Sequence, residues 1–279
     1  MSFRENLQGG YLCGLVLETI LLGVITVQVF LYYHRFPKDH ICLKSTVGFL
    51  WLVQMFQVTA ATASLYRAFI HNFDTLPSST IWYDTFYQIS TVICSTIVQL
   101  YFVLRLYRFG GSIWLPMLVA LLTLGQVGTG LAIWIKANIS HGLESFIRPI
   151  RYTEIPWLTL EAVADLVIAF SMSYFLQKRR TGFRQTDTVL RTLTVYAINT
   201  GLLTSILALA VMFAFVFYGF HFIHLTFIVP LAGVYTASLL ANLHSRSTLR
   251  GQLHSGENGI SIHLSRLPPK IRNQISATV

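Results

Sequence analysis

The stretch GYLCGLVLETILLGVITVQVFLYY, Gly10–Tyr33, decides the fold. It is 24 residues long and holds one charged side chain, Glu18. A helix needs about 20 apolar residues to cross the hydrocarbon core of a bilayer. A secretory leader uses only about 7–15. The stretch therefore reads as a retained membrane span. Six more stretches reach that length: Leu43–Tyr66, Asp84–Leu106, Ile113–Ile135, Ile155–Leu176, Leu193–Tyr218 and Phe222–Leu243. A membrane β-barrel would instead show alternating segments of about ten residues. The sequence predicts an all-α bundle of seven transmembrane helices.

Composition agrees. Hydrophobic residues make up 54% of the 279-residue chain and charged residues 11%, against roughly 25% charged in soluble domains. Mean hydropathy is +0.59. The net charge of +9 sits in short segments between apolar runs, so anionic lipid headgroups are the expected partners rather than nucleic acid. Three cysteines give no disulfide framework. Cys94 reads as a small buried hydrophobe and Cys42 as a palmitoylation candidate.

Alternating the loops between two sides gives the orientation. One side carries Arg4, Arg67, Lys136, Arg148 and Arg151. The other carries Arg35, Lys38, Lys44, Arg105, Arg108, Lys178, Arg179, Arg180, Arg184, Arg191, Arg246, Arg250, Arg266, Lys270 and Arg272. The richer side is expected to be cytoplasmic, placing the N-terminus outside and the C-terminus inside. The sequon Asn138-Ile139-Ser140 falls in the fourth–fifth loop, on the outer side, and makes Asn138 a glycosylation candidate. The expected organisation is a short outer N-terminus (1–9), a membrane domain (10–243) and a disordered basic cytoplasmic tail (244–279). Tyr32, Tyr33, Trp82, Tyr83, Trp114, Trp134 and Trp157 fall at the predicted interfaces. Pro156 reads as a tolerated helix-start proline. Pro230, inside helix seven, should free a carbonyl and bend the helix.

Three acids lie within predicted spans: Glu18, Glu161 and Asp165. A charge at a helix centre costs about 2.5–3.5 kcal/mol on insertion scales. Glu161 and Asp165, spaced i, i+4, share a face of helix five. No lysine or arginine lies mid-span to pair with them, so protonation or hydrogen bonds to neutral partners must hold them. Asn199 is the candidate partner, with Tyr196 and Thr200 near it in sequence. Asp84 and Glu154, at span edges, are expected to reach headgroups. Gln88, Ser90, Thr91, Ser95, Thr96 and Gln99 make helix three polar enough for close packing or a polar cavity. His221 and His224 are read as outer-loop, interface-seated residues. No three or four ligands converge as zinc requires, so no metal or cofactor is expected.

Known seven-helix chemistries are disfavoured. Helix seven has no lysine for a retinal Schiff base. Leu104-Arg105-Leu106-Tyr107 lacks the acid of the acid-Arg-aromatic triplet of rhodopsin-like receptors. Val229 stands where their Asn-Pro-x-x-Tyr motif has asparagine, Tyr235 is out of register, and residues 136–152 contain no cysteine. No proline precedes a glutamine, as seven-helix sugar transporters require.

Several stretches carry a family likeness. They are Gln28–Tyr33 with Arg35–Asp39, Gln99–Phe102 with Arg105–Arg108, Glu161–Asp165, Arg180–Phe183 with Thr186-Asp187, Tyr196–Ser205 and Leu240–Arg246. In these the chain, over residues 10–250, resembles a large group of fungal, mainly basidiomycete, seven-helix membrane proteins defined by a domain of unknown function. That module would span about 155–247. The resemblance implies seven helices and a basic fifth–sixth loop, singles out Asp165, Asn199 and Arg180, and implies no specific activity. Three functions remain. One is a receptor-like sensor with a small ligand or a cytoplasmic signalling partner at the Lys178–Arg191 loop. The second is a proton- or cation-coupled transporter using Glu161 and Asp165, and the third a scaffold without ligand. No nucleophile–base pair suggests an enzyme. The expected location is the plasma membrane, with an endomembrane as the alternative.

Overall fold

The computed structural model describes residues 3–71, 82–110, 113–139, 143–178, 184–219 and 222–245. They form α1 (Phe3–Arg35), α2 (Ile41–Tyr66, extended by a π-helical turn Arg67–His71), α3 (Phe86–Gly110), α4 (Trp114–Ile139), α5 (Leu143–Lys178), α6 (Arg184–Tyr218) and α7 (Phe222–Ser245, its first segment ending at Ile228). No strand occurs among the described residues. All seven helices are long and apolar enough to cross a membrane. The chain is a multi-pass, all-helical membrane protein. The expected disordered tail lies, beyond Ser245, outside the described residues.

Neighbouring helices pack in chain order, α1 against α7 closes the ring, and α3 also packs on α5. Burial separates two sets. Of the most apolar window, 72% is buried in α7, 56% in α5 and 50% in α3, but only 22% in α1. The first three form the centre, while α1, α2, α4 and α6 turn residues such as Ile20, Phe30, Leu52, Leu124 and Phe217 outward. Such a surface suits lipid, where packing and not hydrophobicity joins helices.

Small residues set the α1–α7 contact. A Cβ on Gly10 would stand 2.5 Å from the Phe222 carbonyl oxygen, and one on Gly14 2.8 Å from that of Leu225. The spacing of four puts both glycines on one face, so the two backbones approach closely. Thr226 adds a 3.4 Å hydroxyl bond to the Gly10 carbonyl.

Three helices begin well before their expected spans, among them α1, at Phe3 rather than Gly10. Helix five starts at Leu143, so Pro156 lies well inside it rather than near its start. Its 36 residues make a rod of roughly 54 Å, longer than the hydrocarbon core of about 30 Å. Helicity outlasts hydrophobicity here, because backbone groups beyond the core can still bond within the helix. For the same reason α6 starts at Arg184 and takes up part of the expected basic loop. Residues 179–183, with Arg180, lie outside the described residues.

Helix seven breaks at Val229-Pro230, where the sequence predicts a bend. The Gln57 amide of α2 donates to the Val229 carbonyl at 2.8 Å, and Ser90 of α3 bonds the other end of Gln57 at 2.5 Å. A side chain from a neighbouring helix thus satisfies backbone that a proline-broken helix leaves available.

Candidate functional site

Glu154, Glu161 and Asp165 lie seven and four residues apart on α5, which at 3.6 residues per turn is one narrow stripe. All three are buried, at 2%, 0% and 4% exposure. The stripe faces α3 and α7. Gln99 of α3 donates to Asp165 Oδ1 at 3.1 Å, and the Tyr235 hydroxyl of α7 donates to Oδ2 at 2.7 Å. Thr123 of α4 bonds the Gln99 carbonyl at 3.0 Å, fixing which end of that amide meets the acid. Thr204 of α6 also lies beside Asp165. Three other helices therefore converge on the carboxyl that α5 carries. A Cβ on Gly201 would meet the Ala169 Cβ at 2.9 Å, so that glycine lets α6 close on α5 at this level.

Glu161, one turn away, sits beside the Tyr235 and Ser95 hydroxyls, but its oxygens make no direct hydrogen bond among the described residues. Gln126 of α4 donates to the Ser95 oxygen at 2.8 Å. A cavity of about 10 Å³ adjoins Asp165 between α3, α5, α6 and α7 and is lined in part by Gln99, Thr204, Tyr235 and Ser238. That volume suits about one water molecule, far below the several hundred Å³ of a small-molecule pocket.

The other expected residues fall elsewhere. Asn199 is exposed on α6, and the bonds to Asp165 come from Gln99 and Tyr235 instead. The side chains of Tyr196 and Thr200 are not among those described. Glu18 of α1 is fully buried against α7, where its Oε2 would stand 2.6 Å from a Cβ on Gly233. It forms no hydrogen bond among the described residues and is separate from the Asp165 cluster. Asn138 lies in the last turn of α4, not in a loop. Its amide nitrogen, where a glycan would attach, donates to the Trp134 carbonyl at 2.8 Å and to Thr85 at 3.2 Å.

Two residues lie away from their expected places. Glu154 does not reach headgroups and His224 is not in a loop. Both are buried, with His224 Nε2 3.9 Å from Glu154 Oε1. The early start of α5 draws Glu154 inward, and α7 takes in His224 from its first turn. Asp84, expected at headgroups, accepts from Ser64 at 2.7 Å and faces Arg67 at 3.6 Å. At the opposite end, Arg105 of α3 donates to Asn242 of α7. Among the described residues no cluster of three or more His, Cys, Asp or Glu side chains could hold a metal ion.

Residues 161–248 match a family described as a family of unknown function (DUF6534). The match begins at Glu161 and includes Asp165, Thr204, Tyr235 and Asn242, while Gln99, Thr123 and Glu154 lie before it. No curated protein and no solved structure matches the chain.

Proposed function

We propose that the protein is a receptor-like membrane sensor that reads a small cation, proton included, at Asp165 and Glu161. The observation that carries this is the bonding of one buried carboxyl to both α3 and α7 beside a cavity of about one water. A change of charge on that carboxyl must change its bonds to two neighbouring helices at once, and local electrostatic events of this kind drive conformational switches. The cavity is too small for an organic ligand.

The polar groups also thin out partway. Beyond Asp165 the α3 and α5 faces continue as Phe102 and Leu106, and Ile168 and Met172, all buried, while α7 keeps Ser238 and Asn242 among Leu239 and Leu243. A continuous transport path would need polar groups on several helices there, and α3 and α5 turn apolar side chains to it, so a sensor fits better than a transporter. At the level of Leu106 and Leu243 the Arg105–Asn242 bond ties α3 to α7 and supplies an element that a helix shift would release. The output would be read by a cytoplasmic partner at the basic Lys178–Arg191 segment. Likeness to fungal seven-helix proteins supports a fungal source, and a sensing role goes with the plasma membrane. No enzymatic step belongs to this reading.

The test uses the full chain in lipid nanodiscs. Spin labels replace exposed Tyr107 on α3 and Tyr174 on α5, in a Cys13→Ser, Cys42→Ser background. The interlabel distance should change with pH or with sodium concentration, and Asp165→Asn should hold it fixed. A distance insensitive to both in the unmodified site removes the sensor reading. Ion flux into vesicles that Asp165→Asn abolishes would replace it with the coupled transporter.

A further inference from the structure

Helices α3 and α5 cross the membrane in the same direction and touch. The bond between Gln99 and Asp165 joins residues 66 apart in the chain. The same offset pairs Ser95 with Glu161, which are neighbours, and Gln88 with Glu154. Tyr87, next to Gln88, lies within the charge environment of Glu154. Two parallel helices thus present three polar rungs with matching spacings of seven and four residues. The rungs run over eleven helical steps, from 154 to 165, about 16 Å of helix, or roughly half the hydrocarbon core. The next rungs at this offset are Phe102 with Ile168 and Leu106 with Met172, which are apolar and buried. The seam therefore carries polar rungs from the level of Glu154 to the membrane middle, with the buried Val92–Leu158 pair between the first two, and its next two rungs beyond Gln99–Asp165 are apolar.

Resting on the sensor reading, we infer that the ion is a proton and that it reaches Asp165 along this α3–α5 seam, with the Glu154–His224 pair as its first station. A metal cation is bound by oxygen lone pairs, six or more for calcium and magnesium. Here both oxygens of Asp165 are already faced by N–H and O–H donors, and the cavity holds about one water. A proton needs only a carboxyl and a partner that both gives and takes hydrogen. Tyr235 is such a partner, because its hydroxyl bonds Asp165 and lies beside Glu161.

His224 suits the first station. Its Nδ1 lies 3.3 Å from the Val211 carbonyl, which can only accept, so Nδ1 carries hydrogen and Nε2 faces Glu154 as a base. The transfer balances without any other reactant: a proton bound at Nε2 passes to a Glu154 carboxylate oxygen, and the imidazole returns to neutral. The groups facing Glu154 are His224 from α7, Tyr87 from α3 with Tyr11 of α1 at its edge, and Glu161 on its own helix. Facing Asp165 are Tyr235 from α7, Gln99 from α3, Thr204 from α6 and Glu161. No salt bridge among the described residues brings a lysine or arginine to these three acids. Gln88 adds a second sign of a polar lining: it is 3% exposed, and its amide nitrogen has no bonding partner among the described residues.

The test takes the same labelled full chain in vesicles and steps the pH on one side only. The label distance should follow pH and stay unchanged when sodium or potassium is varied at fixed pH. Glu154→Gln and, separately, His224→Gln should slow the response to a step on the amino-terminal side of α5 by roughly tenfold or more. A distance change produced by sodium at constant pH, or wild-type rates in whichever of the two variants folds, overturns this inference and leaves the sensor reading standing. A chain that responds to neither ion removes both.

Discussion

A carboxyl in hydrocarbon is held by what touches its oxygens, and at Asp165 those contacts come from an amide and a phenol on two other helices. Asparagine keeps the shape. Its oxygen can accept from Gln99, its amide can donate to the Tyr235 oxygen, and what it loses is the capacity to change charge. Asp165→Asn should therefore unfold in detergent within about 1 kcal/mol of the parent chain, the scale of one interhelical bond, while losing its response to ions. Asp165→Leu leaves the Gln99 and Tyr235 donors buried without acceptors and should cost about 1–3 kcal/mol for each. Thermal unfolding of the two variants side by side separates the outcomes. Equal losses would mean that these bonds do not hold the helices together.

Pro230 and Gln57 show the same logic between elements. Gln57→Leu should remove the donor to the Val229 carbonyl and cost about 1–2 kcal/mol. In a Pro230→Ala chain, where α7 can restore its own ladder, the same change should cost less. A double-mutant cycle of unfolding free energies measures that coupling, and strict additivity would refute the link. Gly14→Val should push α1 off α7, since its new carbon would meet Leu225 and Val229 under 3 Å, whereas Gly23→Val has open space and should leave stability unchanged. The seven apolar runs, the shared face of Glu161 and Asp165 and the break at Pro230 are all readable from spacing alone, because each depends on one helix. The partners of Asp165 are not readable in this way. Gln99 and Tyr235 reach it from helices 66 and 70 residues away, and nothing local distinguishes them from Asn199, which is nearer in sequence. The matching spacing of Gln88, Ser95 and Gln99 with Glu154, Glu161 and Asp165 is present in the chain. It acquires meaning only once α3 and α5 are known to lie parallel. Glu154 misled because its neighbourhood looks like a span edge, while helix α5 in fact begins eleven residues earlier, at Leu143.

Taken whole, the bundle is asymmetric along its axis. Buried acids gather in the half nearer the start of α5, the other half is mainly apolar around the Arg105–Asn242 bond, and the basic loops are grouped at that end. If that end faces the cytoplasm, as the distribution of lysine and arginine predicts, the polar half lies toward the outside, where an extracellular ion would arrive. The α1–α2 turn tests the direction, because Cys42 lies exposed in the first turn of α2 beside Lys44. In a Cys13→Ser chain expressed in intact cells, a membrane-impermeant maleimide should fail to label Cys42 and should label it once the membrane is opened. Labelling of sealed cells would invert the bundle. Its polar half would then face the cytoplasm, and any ion reaching Asp165 would come from inside the cell.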